Sequence, residues 1–446
     1  MEKPGKFVYT DLGILYSLEV RAMDPLKTRL EQGGLDAILT RLYGPEGLAD
    51  ARDRARQVLD GFTATYGADA QGLFSAPGRT EIGGNHTDHQ HGHVLAAAVD
   101  LDLLAAVDVT DDHTVQVLSE GYPALRVDLS HLTPQRGEEN TSQALIRGVA
   151  ARMAELGCDF GGHGLRVYMT STVPGGSGLS SSAAFEVLFG SIFNDLFWSG
   201  KATAVEIAQI GQYAENVFFG KPCGLMDQAA SSVGGVVSID FKDPADPVVE
   251  QMELDLHKQG YALCILDSHA SHADLTGEYA AVTDELRAVS QHFGKEVLRD
   301  IPEPDFYAAL PALREKAGDR AVLRAMHFYA DDSRARWEAE ALKAGLFDDF
   351  LTLVRQSGES SATCLQNVIP TGAVKEQALM LTIALCQRLL GELGAVRVHG
   401  GGFGGTAQAF VPLDVLDEFK RRTEAVLGAG SCHVVSIRPV GGVRIA

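Results

Sequence analysis

The chain has 446 residues, 45% of them hydrophobic and 22% charged, enough to bury a substantial core and divide into two or three structural units. Its 59 acidic side chains against 38 basic give a formal charge of -21, a field that repels nucleic acid and anionic membrane and argues against both as partners. Six scattered cysteines without a C-x-x-C pair fit reduced thiols in a cytoplasmic protein, and no secretion signal or membrane-spanning run is evident.

Residues 1–70 read as a helical accessory extension, with Leu26, Leu30, Leu35, Ile38, Leu39 and Leu42 spaced for one apolar face. Met23 is an alternative start, and no role is assigned to residues 1–22. From residue 72 a loop gives way to a long extended stretch rich in Val, Leu and Ala that ends near 109, and 114–129 alternates like a strand or hairpin. Helical spacing covers 142–156, a strand 165–170, and two further helices begin near Ser181 and Ala204; 233–240 and 261–267 read as strands. The last third is expected to hold helices near 275–293, 305–310, 321–328 and 375–390, then a strand, a glycine turn and a strand. The boundaries expected are an extension over 1–70, an amino-terminal lobe over 71–258 and a carboxy-terminal lobe over 259–446.

Four segments concentrate chemistry. Gly175, Gly176, Ser177, Gly178, Leu179, Ser180, Ser181 and Ser182 form a glycine-serine loop between a strand and a helix, the context in which backbone N–H groups and a helix terminus cradle phosphate. No lysine follows the glycines, which disfavours a P-loop; a plain glycine turn is the bland reading. The run from Ala76 to His89 packs Arg79, Glu81, Asn85, His86 and Asp88 into one loop, a density suited to a polyol, since sugar hydroxyls both donate and accept. His89, His91 and His93 alternate as zinc ligands could, without a downstream Cys/His partner, and a solvated polar turn is the remaining alternative.

The third segment carries Glu215 on a helix and then presents Asp227 after Pro222 and Gly224, so that Asp227 could stand beside a reacting hydroxyl while Glu215 reaches a cation; either acid could instead be a cap or a surface charge. The fourth, Val396 to Thr406, is a glycine turn between strands that permits close backbone approach to a ligand or to the first loop, or else is a tight hairpin.

Together the four segments resemble the galactokinases, within the small-molecule kinases that include homoserine, mevalonate and phosphomevalonate kinases. Pro174 to Ala183 is similar to the group's P-x-x-x-G-L-x-S-S-A phosphate loop and Gly400 to Gly405 to its carboxy-terminal glycine motif, while Gly78-Arg79, His86-Thr87-Asp88 and Cys223 to Gln228 resemble galactokinase segments. The resemblance implies a two-lobed α+β GHMP-kinase fold, with a mixed-sheet amino-terminal lobe, a ferredoxin-like carboxy-terminal lobe and the active site between them. It implies a kinase that uses ATP and Mg²⁺ on the anomeric hydroxyl of galactose, acting as a monomer or weak homodimer.

Carried over by position, Asp227 is the base or orienter and Arg79 its charge partner. Asn85, His86, Asp88, Gly224 and Tyr279 meet the sugar, the loop from Gly175 to Ser182 meets the nucleotide, and Ser182 and Glu215 hold the metal. The chain departs from the family signature at Thr80-Glu81, where Val-Asn is usual, at Asn85 in place of a glutamate that contacts the sugar's C6 hydroxyl, at His89 in place of tyrosine, and at Ala280 to Thr283 in place of a basic run. An amide in place of that glutamate would no longer repel a C6 carboxylate, so galacturonate joins arabinose and fucose as alternative substrates. A non-catalytic sugar sensor of the same fold is the reading from another class; the intact Ser181, Ser182 and Asp227 oppose it.

Overall fold

The computed structural model describes residues 26–175, 178–221, 223–270 and 275–446; the segment 1–22 and two of the loop residues, Gly176 and Ser177, lie outside them. The described chain opens with helices α1 (Leu26–Glu31), α2 (Asp36–Tyr43) and α3 (Leu48–Tyr66), then runs through β1 (Gly72–Gly83), β2 (His93–Thr110), β3 (Thr114–Ser119) and β4 (Leu125–Asp128). Next come α4 (Ser142–Glu155), β5 (Gly164–Ser171), α5 (Ser181–Trp198), α6 (Ala204–Tyr213), α7 (Met226–Val233), β6 (Val236–Asp240) and β7 (Val248–Met252). The second half adds β8 (Tyr261–Ala270), α8 (Thr276–His292), α9 (Glu303–Ala308), α10 (Leu310–Ala317), α11 (Asp319–Lys343), α12 (Phe347–Ser360) and α13 (Ala378–Leu390). It closes with β9 (Ala395–Val398), β10 (Gly405–Pro412), α14 (Leu416–Leu427), β11 (Cys432–Val435) and β12 (Val443–Arg444).

β2 is long enough to serve two neighbours on its second edge. Its first half pairs with β6 and its second half with β5, while β1 runs antiparallel along nearly its whole length. The resulting sheet is ordered β12-β1-β2-β5-β3-β4, with β6 and β7 branching from β2, and among the described residues only β3 and β5 pair in parallel. The smaller sheet is ordered β11-β8-β10-β9, the 4-1-3-2 sequence of a ferredoxin-like unit. The two sheets share one apolar core: Phe74, Val99 and Leu103 of the first belong with Leu263, Ile265 and Phe410 of the second.

Two stretches cross the expected boundaries. β12 returns to the first sheet and pairs with β1, so the chain's last residues complete the amino-terminal lobe. The helical extension packs Leu39, Val58, Leu59 and Phe62 on Leu73, Leu104 and Ala106 of β1 and β2. It is pinned there by the buried Asp102 carboxylate, which receives Tyr43 Oη at 2.6 Å, an ion pair from Arg54, and Arg438 Nη1 at 2.8 Å.

The stretch expected as a loop from residue 72 is instead β1, buried throughout. α11 extends far beyond the expected 321–328, and α12 and α14 lie where no element was expected. The inward face of α11 explains where its signal stops: Ala321, Val322, Ala325, Phe328 and Tyr329 form an apolar stripe, but beyond them Asp331, Asp332 and Glu338 are buried with only alanines between, so nothing in the sequence marks the rest of the helix.

Candidate active site

The expected phosphate loop joins the end of β5 to α5. Ser180 precedes the helix in the left-handed conformation, at φ 55°, and its hydroxyl leaves the helix terminus to donate to Asp227 Oδ2 at 2.8 Å. Gly178 (φ 73°) turns the chain so that its carbonyl accepts from Arg79 Nη1, and the next carbonyl, of Leu179, accepts from the Arg79 N–H at 2.9 Å.

Arg79 is buried in the middle of β1, and Asp227 sits in the first turn of α7. Their side chains meet in a two-pronged pair, Nε to Oδ1 at 2.7 Å and Nη2 to Oδ2 at 2.6 Å. The Asp227 side chain keeps 29% of its surface exposed, so a ligand can reach the carboxylate that the arginine holds. Burial works to raise its pKa, but the charge and hydrogen bonds of Arg79, with the Ser180 hydroxyl and the Lys221 charge, outweigh it and hold the carboxyl below its ordinary value.

Next to this pair stand Ser182 and Glu215. The Ser182 hydroxyl lies 3.4 Å from Glu215 Oε1, which also receives Lys221 Nζ at 3.2 Å, while Gln228 Nε2 donates to Glu215 Oε2 at 2.9 Å. A carboxylate and a hydroxyl at a helix start make an oxygen donor set that fits a hard divalent cation. Gln228 also bridges to the buried Glu186, whose carboxyl burial and the nearby Glu215 charge push well above the ordinary range.

The polyol loop follows β1 and lies against the second glycine turn. Three consecutive carbonyls of that turn are taken by three of the expected sugar-contacting side chains: Gly400 by Asn85 Nδ2 (2.8 Å), Gly401 by His86 Nε2 (2.9 Å) and Gly402 by Tyr279 Oη (3.0 Å). The turn must be glycine, because a Cβ on Gly401 would stand 2.7 Å from the Tyr279 ring. His86 gives its Nε2 proton to a carbonyl, so its Nδ1 is an acceptor. Burial and the neighbouring His89 push its pKa down to about 4, and the ring is neutral. Gly224 leaves room for Asp88, whose Oδ2 would lie 2.5 Å from a Cβ at that position.

Asn85 is a correction. Its side chain is completely buried and all four of its hydrogen-bonding positions are filled: Nδ2 donates to Glu81 Oε1 and the Gly400 carbonyl, and Oδ1 accepts from Ser361 Oγ and Asn367 Nδ2. A saturated amide has nothing left to offer a sugar, or a C6 carboxylate. Nor has the carboxylate of the family signature vanished: it stands at Glu81, 2.8 Å from the amide and paired with Arg397 Nη2 at 2.7 Å. Acid and amide have exchanged places. The His89, His91 and His93 alternative also dissolves, since His93 is held between Asp332 and Asp240 and no group of three or more His, Cys, Asp or Glu side chains placed to hold a metal ion occurs among the described residues.

Gly175 and Ser181 lie exposed, one on the loop between β5 and α5 and the other at the start of α5. Two participants carried no assigned role in the sequence. Lys221, next to Glu215, follows the glycine that ends the helix; His399 lies under Gly178 and had only its place beside the glycine turn to mark it.

Residues 144–235 match the GHMP kinases N terminal domain and residues 60–109 the galactokinase galactose-binding signature. A galactokinase of Streptomyces coelicolor is 32% identical over 393 residues, covering 87% of this chain and 98% of that protein. One of Glaesserella parasuis is 31% identical over 81% of this chain and 90% of its own. Among solved structures, galactokinase of Lactococcus lactis complexed with galactose superimposes with a TM-score of 0.74 at 24% identity, covering 87% of this chain and 99% of that one. Mevalonate kinase of L. major in complex with R-mevalonate follows at 0.58 and 15%, over 83% of this chain and 97% of its own.

Proposed function

From the premise that the chain belongs to the galactokinase family of GHMP kinases, we propose that Asp227 and Arg79 carry its reaction, transfer of the ATP γ-phosphoryl group to the anomeric hydroxyl of galactose. The single observation behind this assignment is the two-pronged Arg79–Asp227 pair at the mouth of the phosphate loop, joined to that loop through Ser180.

Asp227, ionised at working pH, orients the anomeric hydroxyl and accepts its proton as the sugar oxygen bonds to the γ-phosphorus and the bond to the ADP leaving oxygen breaks. Arg79 keeps the carboxylate charged and offers its guanidinium to the charge on the moving phosphoryl group. The amide groups of the loop and the start of α5 cradle the phosphates. Ser182 and Glu215 would hold Mg²⁺, which when bound neutralises phosphate charge. Asp88 and neutral His86 accept hydrogen bonds from sugar hydroxyls, and Tyr279 closes the pocket over the glycine turn.

The family reading carries with it the monomer or weak homodimer that the resemblance implies. The six cysteines are unpaired, in keeping with a cytoplasmic enzyme, and no helix among the described residues is long and apolar enough to cross a membrane. A panel of galactose, galacturonate, arabinose and fucose, with ADP release measured and the product position read by ³¹P NMR, tests the reading. Galactose 1-phosphate as the dominant product supports it; preferential turnover of galacturonate, or no sugar-dependent ADP release, would overturn it.

A further inference from the structure

We infer that His399 is a positioning residue for phosphoryl transfer, a neutral imidazole that ties the carboxy-terminal glycine strand to β1 and seats the Gly178 end of the phosphate loop against Arg79. The inference rests on the kinase reading above.

The hydrogen bonds around the ring fix its tautomer. Glu81 N–H points at Nε2 at 3.4 Å, so Nε2 is an acceptor. Gln408 Nε2 donates to Thr80 Oγ1 at 2.6 Å, which leaves the Thr80 hydroxyl to donate its own proton to His399 Nε2 at 3.0 Å. The ring proton therefore resides on Nδ1 and goes to Thr406 Oγ1 at 2.9 Å. A one-way relay results, Gln408 to Thr80 to His399 to Thr406, spanning strands β10, β1 and the end of β9. Protonation would turn Nε2 into a donor facing two other donors. Burial, with Arg79 and Arg397 close by and only partly opposed by Asp227, holds the ring pKa down at about 3.

The phosphate loop rests on the last link of this relay. A Cβ on Gly178 would stand 3.0 Å from Thr406 Oγ1 and 3.1 Å from His399 Nδ1, so the loop backbone lies directly on that hydrogen bond. Gly178 in turn presents its carbonyl to Arg79 Nη1, and the opposite edge of the same guanidinium grips Asp227. Thr80, held by His399 from below, is the residue next to Arg79. Displacing the ring would therefore shift the support of the phosphate loop and of the arginine together. A carboxylate and a phosphate that must meet within hydrogen-bonding reach are sensitive to such a shift: an error of about 1 Å costs about 10²-fold in rate. A polar ring with 2% exposure in a β-sheet junction could equally serve only to hold the strands together, and the experiment separates the two roles.

His399→Leu removes both ends of the relay, His399→Gln retains one donor and one acceptor, and Thr406→Val removes the last link without adding volume. Each full-length variant is assayed with galactose and ATP for kcat and both KM values, with galactose affinity by calorimetry and thermal unfolding alongside. Expected are a fall in kcat of about 10- to 100-fold for His399→Leu and Thr406→Val, galactose affinity within about threefold of the parent, and substantial recovery in His399→Gln. Should His399→Leu fail to fold, Thr406→Val and His399→Gln decide the matter. Wild-type kcat in Thr406→Val, or galactose affinity falling in step with kcat across the set, would overturn the inference. Lack of turnover of galactose by the parent chain would instead refute the kinase reading, so the two failures are distinguishable.

Discussion

The Asn85 amide nitrogen donates to a Glu81 carboxylate oxygen 2.8 Å away, on the residue 4 positions earlier at the end of β1, and both side chains are buried. Burial raises the Glu81 pKa while Arg397 opposes it, so the acid depends on its two donors, Arg397 and Asn85, for stability as a charge. Relative to the signature the family carries, acid and amide are exchanged within a network that also holds Gly400, Ser361 and Asn367.

Asn85→Glu, which restores the family's residue at that one position, should therefore destabilise rather than improve the protein. It would place a second carboxylate against Glu81 in a buried site, at a cost of about 3 kcal/mol or more. The double change Glu81→Asn with Asn85→Glu should recover at least half of that loss, because one acid and one amide again face each other. Urea unfolding of the single and double variants checks this; a double variant no more stable than the single would contradict the exchange.

Asp227→Asn should fold normally and bind galactose within a few-fold of the parent while kcat falls about 10²- to 10⁴-fold, the range of a lost general base. With Asp227 as the proposed base, its depressed pKa should also set the acid side of the rate profile. Since the folded carboxyl titrates below its ordinary value, kcat/KM should show no loss from this group between pH 8 and 5, with the decline confined to more acid solution. A profile falling already near pH 6 would assign the essential base elsewhere.

Gly224→Ala tests the sugar pocket with a single methyl group. The new Cβ would stand 2.5 Å from Asp88 Oδ2 and force that carboxylate aside. Galactose KM should rise about tenfold with ATP KM unchanged, the pattern of a lost contact to one substrate. A change in ATP KM alone would place Asp88 outside the sugar site.

Glu338 lies on α11 with both carboxyl oxygens buried and without a hydrogen-bond partner, packed against Gly83 of β1. Burial, and the nearby Asp331 charge, push its pKa well above the ordinary value, with Arg397 and Arg334 only partly opposing. The folded state thus keeps a proton that the unfolded state releases above about pH 4.3, and stability falls by up to about 1.4 kcal/mol per pH unit as pH rises towards the folded pKa. Glu338→Gln should match the parent near pH 4 and exceed it in melting temperature at pH 8. Equal melting temperatures at pH 8 would show that the acid has found a partner.

How much was legible follows from how locally each feature is specified. The strand, glycine-serine loop and helix around Ser180 needed only a run of small residues between two periodic segments. The second half of α11 was hidden, because beyond Tyr329 its buried face carries Asp331, Asp332 and Glu338 among alanines and shows no apolar period. β12 was hidden for a different reason: two residues have no pattern, and only their pairing with Phe74 and Ser75 makes them a strand.

By itself the sequence determined the two glycine turns, the acids at 215 and 227, and with them the kinase family, since close backbone approach to phosphate demands small residues at fixed spacing. Only the tertiary structure decided that Asn85 faces Glu81 and the Gly400 carbonyl instead of a sugar, and that His399 lies under Gly178. Hydrogen-bond partners about 300 residues apart are chosen by packing. A buried polar group must be satisfied by whatever the fold brings beside it, and no local pattern records what that will be.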